Sequence, residues 1–259
     1  MNIKSRNILL TENGIILCLV AAKILIHMIL PEYGYFRDEL YYISIGDSFS
    51  LSNLDMMPLT PLYIKTITSI FGYSIKAIHF ASALCGAASL MIGCLITREL
   101  GGKRYAVFLS GLLMLFSGFI IFGAMFTYDS LDFLIQVFAI YILVRIINRG
   151  NRKLWILFGL VAGLGLLNKM SILLFGLAVF TALWLVPLRR EYRSGWIWAG
   201  GSIAMFFSLP FVIWQARNGW YYIDFALNYS GGYAYAASFP EFIWSQILPN
   251  NIFTFPFWL

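Results

Sequence analysis

Residues 77–125 read "AIHFASALCGAASLMIGCLITRELGGKRYAVFLSGLLMLFSGFIIFGAM". Two apolar runs, 77–97 and 105–125, flank a turn that carries Arg98, Lys103 and Arg104. Each run has the roughly 20 residues that an α-helix needs to cross the hydrocarbon core of a bilayer. Basic residues gather in the cytoplasmic loops of membrane proteins, so the turn marks one face of the membrane. The stretch therefore reads as a transmembrane helical hairpin.

Other runs repeat the pattern. Segments 9–30, 130–147, 154–168, 171–188 and 196–214 bring the expected spans to seven, and an eighth begins near 251 and is cut at Leu259. Asn168-Lys169 is the least sharply marked boundary, because two apolar runs meet there with almost no loop. Composition agrees: 60% of residues are hydrophobic and 12% charged, against about 25% charged in soluble domains, and mean hydropathy is +0.79. The predicted fold class is an all-α polytopic membrane protein, one transmembrane domain over 1–259, with amphipathic juxtamembrane helices in its first outer loop. The aromatic share, 18%, suits interfacial belts. The net charge of +6 is no nucleic-acid signature, since the charges are spread over short loops. Lys4 and Arg6 precede the first run as in a signal peptide, but without a clear small-residue cleavage site it reads as a retained span. Cys18, Cys85 and Cys94 lie in apolar runs with no metal-ligand spacing and no disulfide framework. His27, His79 and Lys23 read as packing or snorkelling residues. Gly159 and Gly163 form a small-xxx-small pair that reports close helix packing.

The loops sort by charge. Lys4, Arg6, Arg98, Lys103, Arg104, Arg145, Arg149, Arg152, Lys153, Arg189, Arg190 and Arg193 make twelve of the eighteen basic residues on the cytoplasmic side. Glu32, Asp38, Glu39, Asp47, Asp55, Asp129, Asp132, Asp224 and Glu241 make nine of the twelve acids on the other. Acids contribute little to orientation, so this second bias calls for another cause, and a functional site on the outer face is one. Two outer segments are long. Residues 31–76 contain amphipathic stretches with Pro58 and Pro61 as breaks, and 215–250 reads as a loop plus a short interfacial helix.

Candidate residues follow from that side. Asp38-Glu39, in "GYFRDELYYISIGDSF" (34–49), lie against a membrane boundary inside an aromatic amphipathic segment; a solvated loop end is the plain alternative. Ionisable groups at such depth are costly and tend to be functional. Asp129 and Asp132, three apart in "FTYDSLDFL", share a helix face. An N-cap would explain Asp129, but not Asp132 a turn deeper. Asp55 in "LDMMPL" precedes a proline turn and also suits an Asx-turn. Lys169 lies on the outer side against the positive-inside trend and reads either as snorkelling or as an anion ligand; Lys65 and Arg217 carry the same two readings. "NYS" at 228–230 matches a glycosylation sequon, a short pattern common by chance. Carboxylates activate hydroxyls or hold divalent cations, cations hold phosphate, and apolar walls hold a lipid tail. Such a cavity suits transfer from a lipid phosphate and equally an ion-coupled transporter.

The ordered set "RDELYYISIGDSF…LDMMPL", "FTYDSLDFL", "GLGLLNKMSILL", "PFVIWQARNGW" and "FPFWL" resembles the GT-C glycosyltransferases of the dolichyl-phosphate-mannose-protein mannosyltransferase type, which include bacterial lipid A aminoarabinose transferases. The resemblance runs over essentially the whole chain. It implies inverting sugar transfer from a polyprenyl-phosphate donor on the extracytoplasmic face of the cell membrane, to an acceptor that the sequence does not identify. By it, Asp38 is the general base on the acceptor and Asp129 the second catalytic acid. Glu39, Asp55, Lys169, Arg217 and Lys65 are substrate-binding candidates, and Asp55 and Asp132 are candidate ligands should a divalent cation take part. Met57 stands where the family's first proline usually is, and Met56 where some members have a lysine, for which Lys65 or Arg217 would substitute. Family members continue through further spans, so the chain is expected to be truncated. The alternatives are a transporter or flippase of a lipid-linked or anionic solute, though no inverted repeat or mid-membrane charge favours it, and an inactive membrane subunit.

Overall fold

The computed structural model describes residues 11–29, 34–48, 56–116, 123–233 and 237–247. Among these residues every regular element is helical. In order they are α1 (Glu12–Ile29), α2 (Arg37–Asp47), α3 (Leu59–Phe71), α4 (Ile75–Glu99), α5 (Arg104–Phe116), α6 (Tyr128–Arg149), α7 (Leu154–Leu166), α8 (Ser171–Leu185), a 3₁₀ turn (Arg189–Arg193), α9 (Gly195–Arg217), α10 (Tyr221–Tyr233) and α11 (Phe239–Ile247).

Helices α1, α4, α6 and α9 are long and apolar enough to cross a bilayer, and α5, α7 and α8 are shorter apolar helices. All seven coincide with expected spans. The protein is an all-α polytopic membrane protein of the predicted class. α4 runs through the middle, with α1 and α5 on one side and α6 on the other; α7 then packs between α6 and α9. Because α1 lies along α4 and α5 and places Ile16 and Leu19 in their shared core, it is part of the bundle. Exposed Leu173, Leu174, Leu177, Phe206 and Leu185 cover the outside of α8 and α9 with apolar surface, as lipid contact requires.

α7 and α9 meet at two glycines. A Cβ on Gly159 would stand 2.1 Å from the Gly200 carbonyl oxygen, and one on Gly200 would stand 2.2 Å from that of Trp155. Only glycine at both positions allows the backbones to approach this closely. The small-residue pair therefore works within the chain, as its spacing predicts, although Gly163 packs instead against the Phe207 ring.

Two expectations need correction. Pro61 does not break the first outer segment, because it is the third residue of α3, where the N–H has no intrahelical acceptor and proline is tolerated. Residues 215–250 hold two helices, α10 and α11, rather than a loop and one helix. The turn into α10 uses Gly219 and Trp220 at φ 75° and 59°.

The two ends of the bundle differ. At the arginine-rich end, Arg149 makes two hydrogen bonds to Glu99, at 2.5 and 2.6 Å. Glu191 accepts from Arg152 at 3.1 Å and from the Trp155 indole at 3.2 Å. At the opposite end, α2 and α3 pack on the start of α4 and enclose Tyr42, Ile45, Met56, Ile64, Ile78 and Phe126. Met56, at the position where a lysine was considered, thus belongs to the core.

Candidate active site

The site is built at the acidic end, where α2, the start of α6 and the α7–α8 junction meet. α2 begins at Arg37, with Asp38 and Glu39 in its first turn, where carboxylates suit the helix dipole. Successive helix residues point about 100° apart, and the two acids accordingly separate. The Asp38 side chain is 40% exposed and its one bond among the described residues is from Arg37, at 3.3 Å. Glu39 is 0% exposed. One of its oxygens accepts from the Phe36 N–H at 2.9 Å, closing the helix start. The other accepts from the Phe126 N–H at 2.7 Å and lies 3.3 Å from His79 Nε2 of α4. This differs from the expected substrate contact: Glu39 has no open surface, and protein donors occupy both its oxygens.

α6 starts two residues after Phe126. Thr127 stands at its N-cap and Asp129 in its first turn, so the capping alternative for Asp129 is not the one realised. Its carboxylate instead accepts from Lys169 Nζ at 2.6 Å, with both side chains about one-third exposed. Lys169 also lies over the Tyr128 ring, 4.7 Å from its centroid. Burial disfavours the Lys169 ammonium, but the bond to Asp129 and the nearby Asp129, Tyr128 and Asp132 charges outweigh it and raise its pKa. Tyr42 of α2 packs edge-on against both Phe126 and Tyr128. Burial raises the pKa of its phenol, and Tyr128, Asp38 and Asp129 push the same way.

Lys169 is held in place by its neighbour. α7 has 13 residues, about 20 Å of helix, short of the ~30 Å hydrocarbon core. Irregular backbone at that depth must be covered by protein. Asn168 does this: its carbonyl accepts from Thr60 Oγ1 at 2.7 Å and its amide donates to the Tyr128 carbonyl at 2.9 Å. The Leu59 N–H bonds the Leu167 carbonyl at 2.8 Å. The proline turn ahead of α3, the start of α6 and the lysine are tied into one unit. Beside it, Pro58, Leu167, Phe207, Pro210 and Ile213 line an apolar groove of about 570 Å³.

The other expected residues fall elsewhere. Asp132 is buried; its oxygens accept from Ser171 Oγ and Gln136 Nε2, both at 2.8 Å, bracing α6 against α8. Among the described residues no group of three His, Cys, Asp or Glu side chains is placed to hold a metal ion. Asp55 lies outside the described residues. Lys65 is exposed on α3 beside buried Ile64, and Arg217 is exposed at the end of α9. Of the two readings of Lys23, packing is the one realised. At 2% exposure it does not snorkel, and lies against Gly86 and Gly123, where a Cβ would stand 3.0–3.1 Å from its Cε. Tyr42, Tyr128, Asn168 and His79 were not singled out as site residues. An asparagine between two apolar helices was the available signal for Asn168, since a buried amide needs partners.

The family model described as dolichyl-phosphate-mannose-protein mannosyltransferase matches residues 55–214, more than half of the chain. That range includes Asp129, Asn168 and Lys169, and Asp38 and Glu39 precede it. No curated protein and no solved structure matches the chain.

Proposed function

The chain belongs to the dolichyl-phosphate-mannose-protein mannosyltransferase family, and from that premise we propose that this membrane glycosyltransferase moves a sugar from a polyprenyl-phosphate donor to an acceptor hydroxyl on the extracytoplasmic face of the cell membrane. The observation that carries the reading is the Asp129–Lys169 pair beside Tyr128, whose ring packs against Tyr42 of α2, the helix that carries Asp38 in its first turn.

Each part has a task. Asp38, the more open carboxylate, accepts the acceptor hydroxyl's proton as its oxygen bonds to the anomeric carbon. The carbon–oxygen bond to phosphate breaks on the opposite face, its electron pair leaves with the phosphate, and the configuration inverts. A phosphate leaving group needs no strong acid, and the Lys169 ammonium balances the charge that develops on it. Asp129 holds that ammonium in position until the donor arrives. The apolar groove beside Pro58 and Leu167 offers the polyprenyl chain a surface next to Lys169. Glu39 positions residues around it.

The test uses the full chain in nanodiscs with radiolabelled decaprenyl-phosphate-mannose. Asp38→Asn is expected to lower transfer about 100-fold or more, and Asp129→Asn to do so with normal membrane insertion. Transfer retained at the wild-type rate in Asp38→Asn would exclude the assigned base. Loss of solute uptake with transfer intact would favour the transporter alternative.

A further inference from the structure

We propose that the buried Glu39–His79 pair is a positioning latch that sets the spacing of Asp38 and Asp129, so that His79 governs turnover without touching either acid. This inference rests on the proposed sugar transfer.

Glu39 is the point where three chain segments join. Through the Phe36 N–H it fixes the start of α2, one residue from Asp38. Through the Phe126 N–H it fixes the strand of chain that leads into α6, three residues before Asp129. His79, in the second turn of α4, sits 3.3 Å from the oxygen that holds Phe126. The segment ahead of α6 is also pinned from behind, since the Met125 carbonyl accepts from Ser82 of α4 at 2.7 Å and from Ser130 at 3.2 Å. α4 is thus the frame, and the carboxylate hangs both acid-bearing helix starts on it.

The chemistry of the pair suits this work. A wholly buried carboxylate is costly unless donors surround it. Two backbone N–H groups donate to it, and the His79 imidazole stands 3.3 Å from one of its oxygens; the three come from different segments of the chain. Removing His79 takes away the polar neighbour 3.3 Å from the oxygen bonded to Phe126 and frees that oxygen to shift. Displacement of reacting groups by about 1 Å costs on the order of 100-fold in rate, so small movements at the latch reach the chemistry while the donor's lipid and phosphate contacts stay in place.

The experiment compares His79→Phe, which removes the polar contact, with His79→Gln, whose amide can replace it, and with Glu39→Gln. Transfer is measured with radiolabelled decaprenyl-phosphate-mannose, and thermal unfolding of the full chain is followed in detergent. His79→Phe is expected to lower kcat about 10- to 100-fold with the donor KM within about twofold, and His79→Gln to recover most of that loss. The unfolding shifts of His79→Phe and Glu39→Gln should fall short of additive in the double variant. An unchanged kcat in a folded His79→Phe, or a raised KM at constant kcat, overturns the positioning role. Additive unfolding shifts overturn the latch itself, whether or not the protein transfers sugar. A wild-type chain that unfolds cooperatively with non-additive shifts but transfers no sugar from decaprenyl-phosphate-linked mannose, glucose or aminoarabinose to protein, lipid or water overturns the transferase reading and leaves the latch standing.

Discussion

The two ends of the bundle carry charge in opposite ways. At the basic end, both described glutamates away from the N-terminus are neutralised by arginine: Glu99 by Arg149, and Glu191 by Arg152 with help from the Trp155 indole. These pairs join α4 to α6 and the 3₁₀ turn to α7, and one helical turn further in, the Gly159–Gly200 contact locks α7 to α9. At the acidic end Asp38 and Asp129 remain partly open, and a single lysine faces Asp129. Charge at the first end closes the structure; at the second it remains available to a ligand. Variants at the basic end should move stability and spare substrate affinity, and variants at the acidic end should do the reverse.

The largest effect is expected for Gly159→Val. Its side chain would enter the space of the Gly200 carbonyl, and backbone cannot yield as a flexible side chain does. Overpacking of this kind costs upwards of about 3 kcal/mol, and the measurement is thermal unfolding in detergent, together with the yield of inserted protein. A variant as stable as wild type would remove the closest contact from the account of the basic end.

Lys169→Gln comes next. Losing a charge-assisted hydrogen bond costs about 1.5–3 kcal/mol, which corresponds to a donor KM raised roughly 10- to 100-fold. The unfolding temperature should change little, because both partners are one-third exposed. A large drop in stability with unchanged KM would make Lys169 a structural residue.

Glu191→Ala should cost about 1–3 kcal/mol, because it leaves the buried Trp155 N–H without an acceptor; donor KM below the unfolding temperature should stay at the wild-type value. Arg149→Ala is the smallest. Its pair with Glu99 is exposed on the arginine side, where screening by solvent leaves little net stabilisation, and no resolvable shift in unfolding temperature is expected. A shift larger than that of Glu191→Ala would reverse the ranking of the two pairs.

Much of the candidate site was legible in residue type. Asp38 and Asp129 stood out because charge at a membrane boundary is expensive, and Lys169 because it runs against the positive-inside trend; the fold pairs Asp129 with Lys169. Glu39 and Asp132 stood out for the same reason but face inward. Asp132 shares a helix face with Asp129, yet sits one turn deeper, where Ser171 and Gln136 meet it. Charge in an apolar sequence marks a residue that needs a partner; it does not say whether that partner is protein or substrate. His79 and Asn168 were harder still, because their partners lie in other elements far away in the chain, and sequence spacing carries no trace of such contacts.

By itself the sequence determined the helical class, the apolar helices and the segregation of acids from arginines, since these depend on local hydropathy and charge. The tertiary structure decided which acids are buried, which glycine faces which carbonyl, and that Asp129 pairs with Lys169. The physical reason is that span formation is governed by each segment's own transfer into lipid, whereas a site depends on the rotation and depth of helices set by packing between segments far apart in the chain.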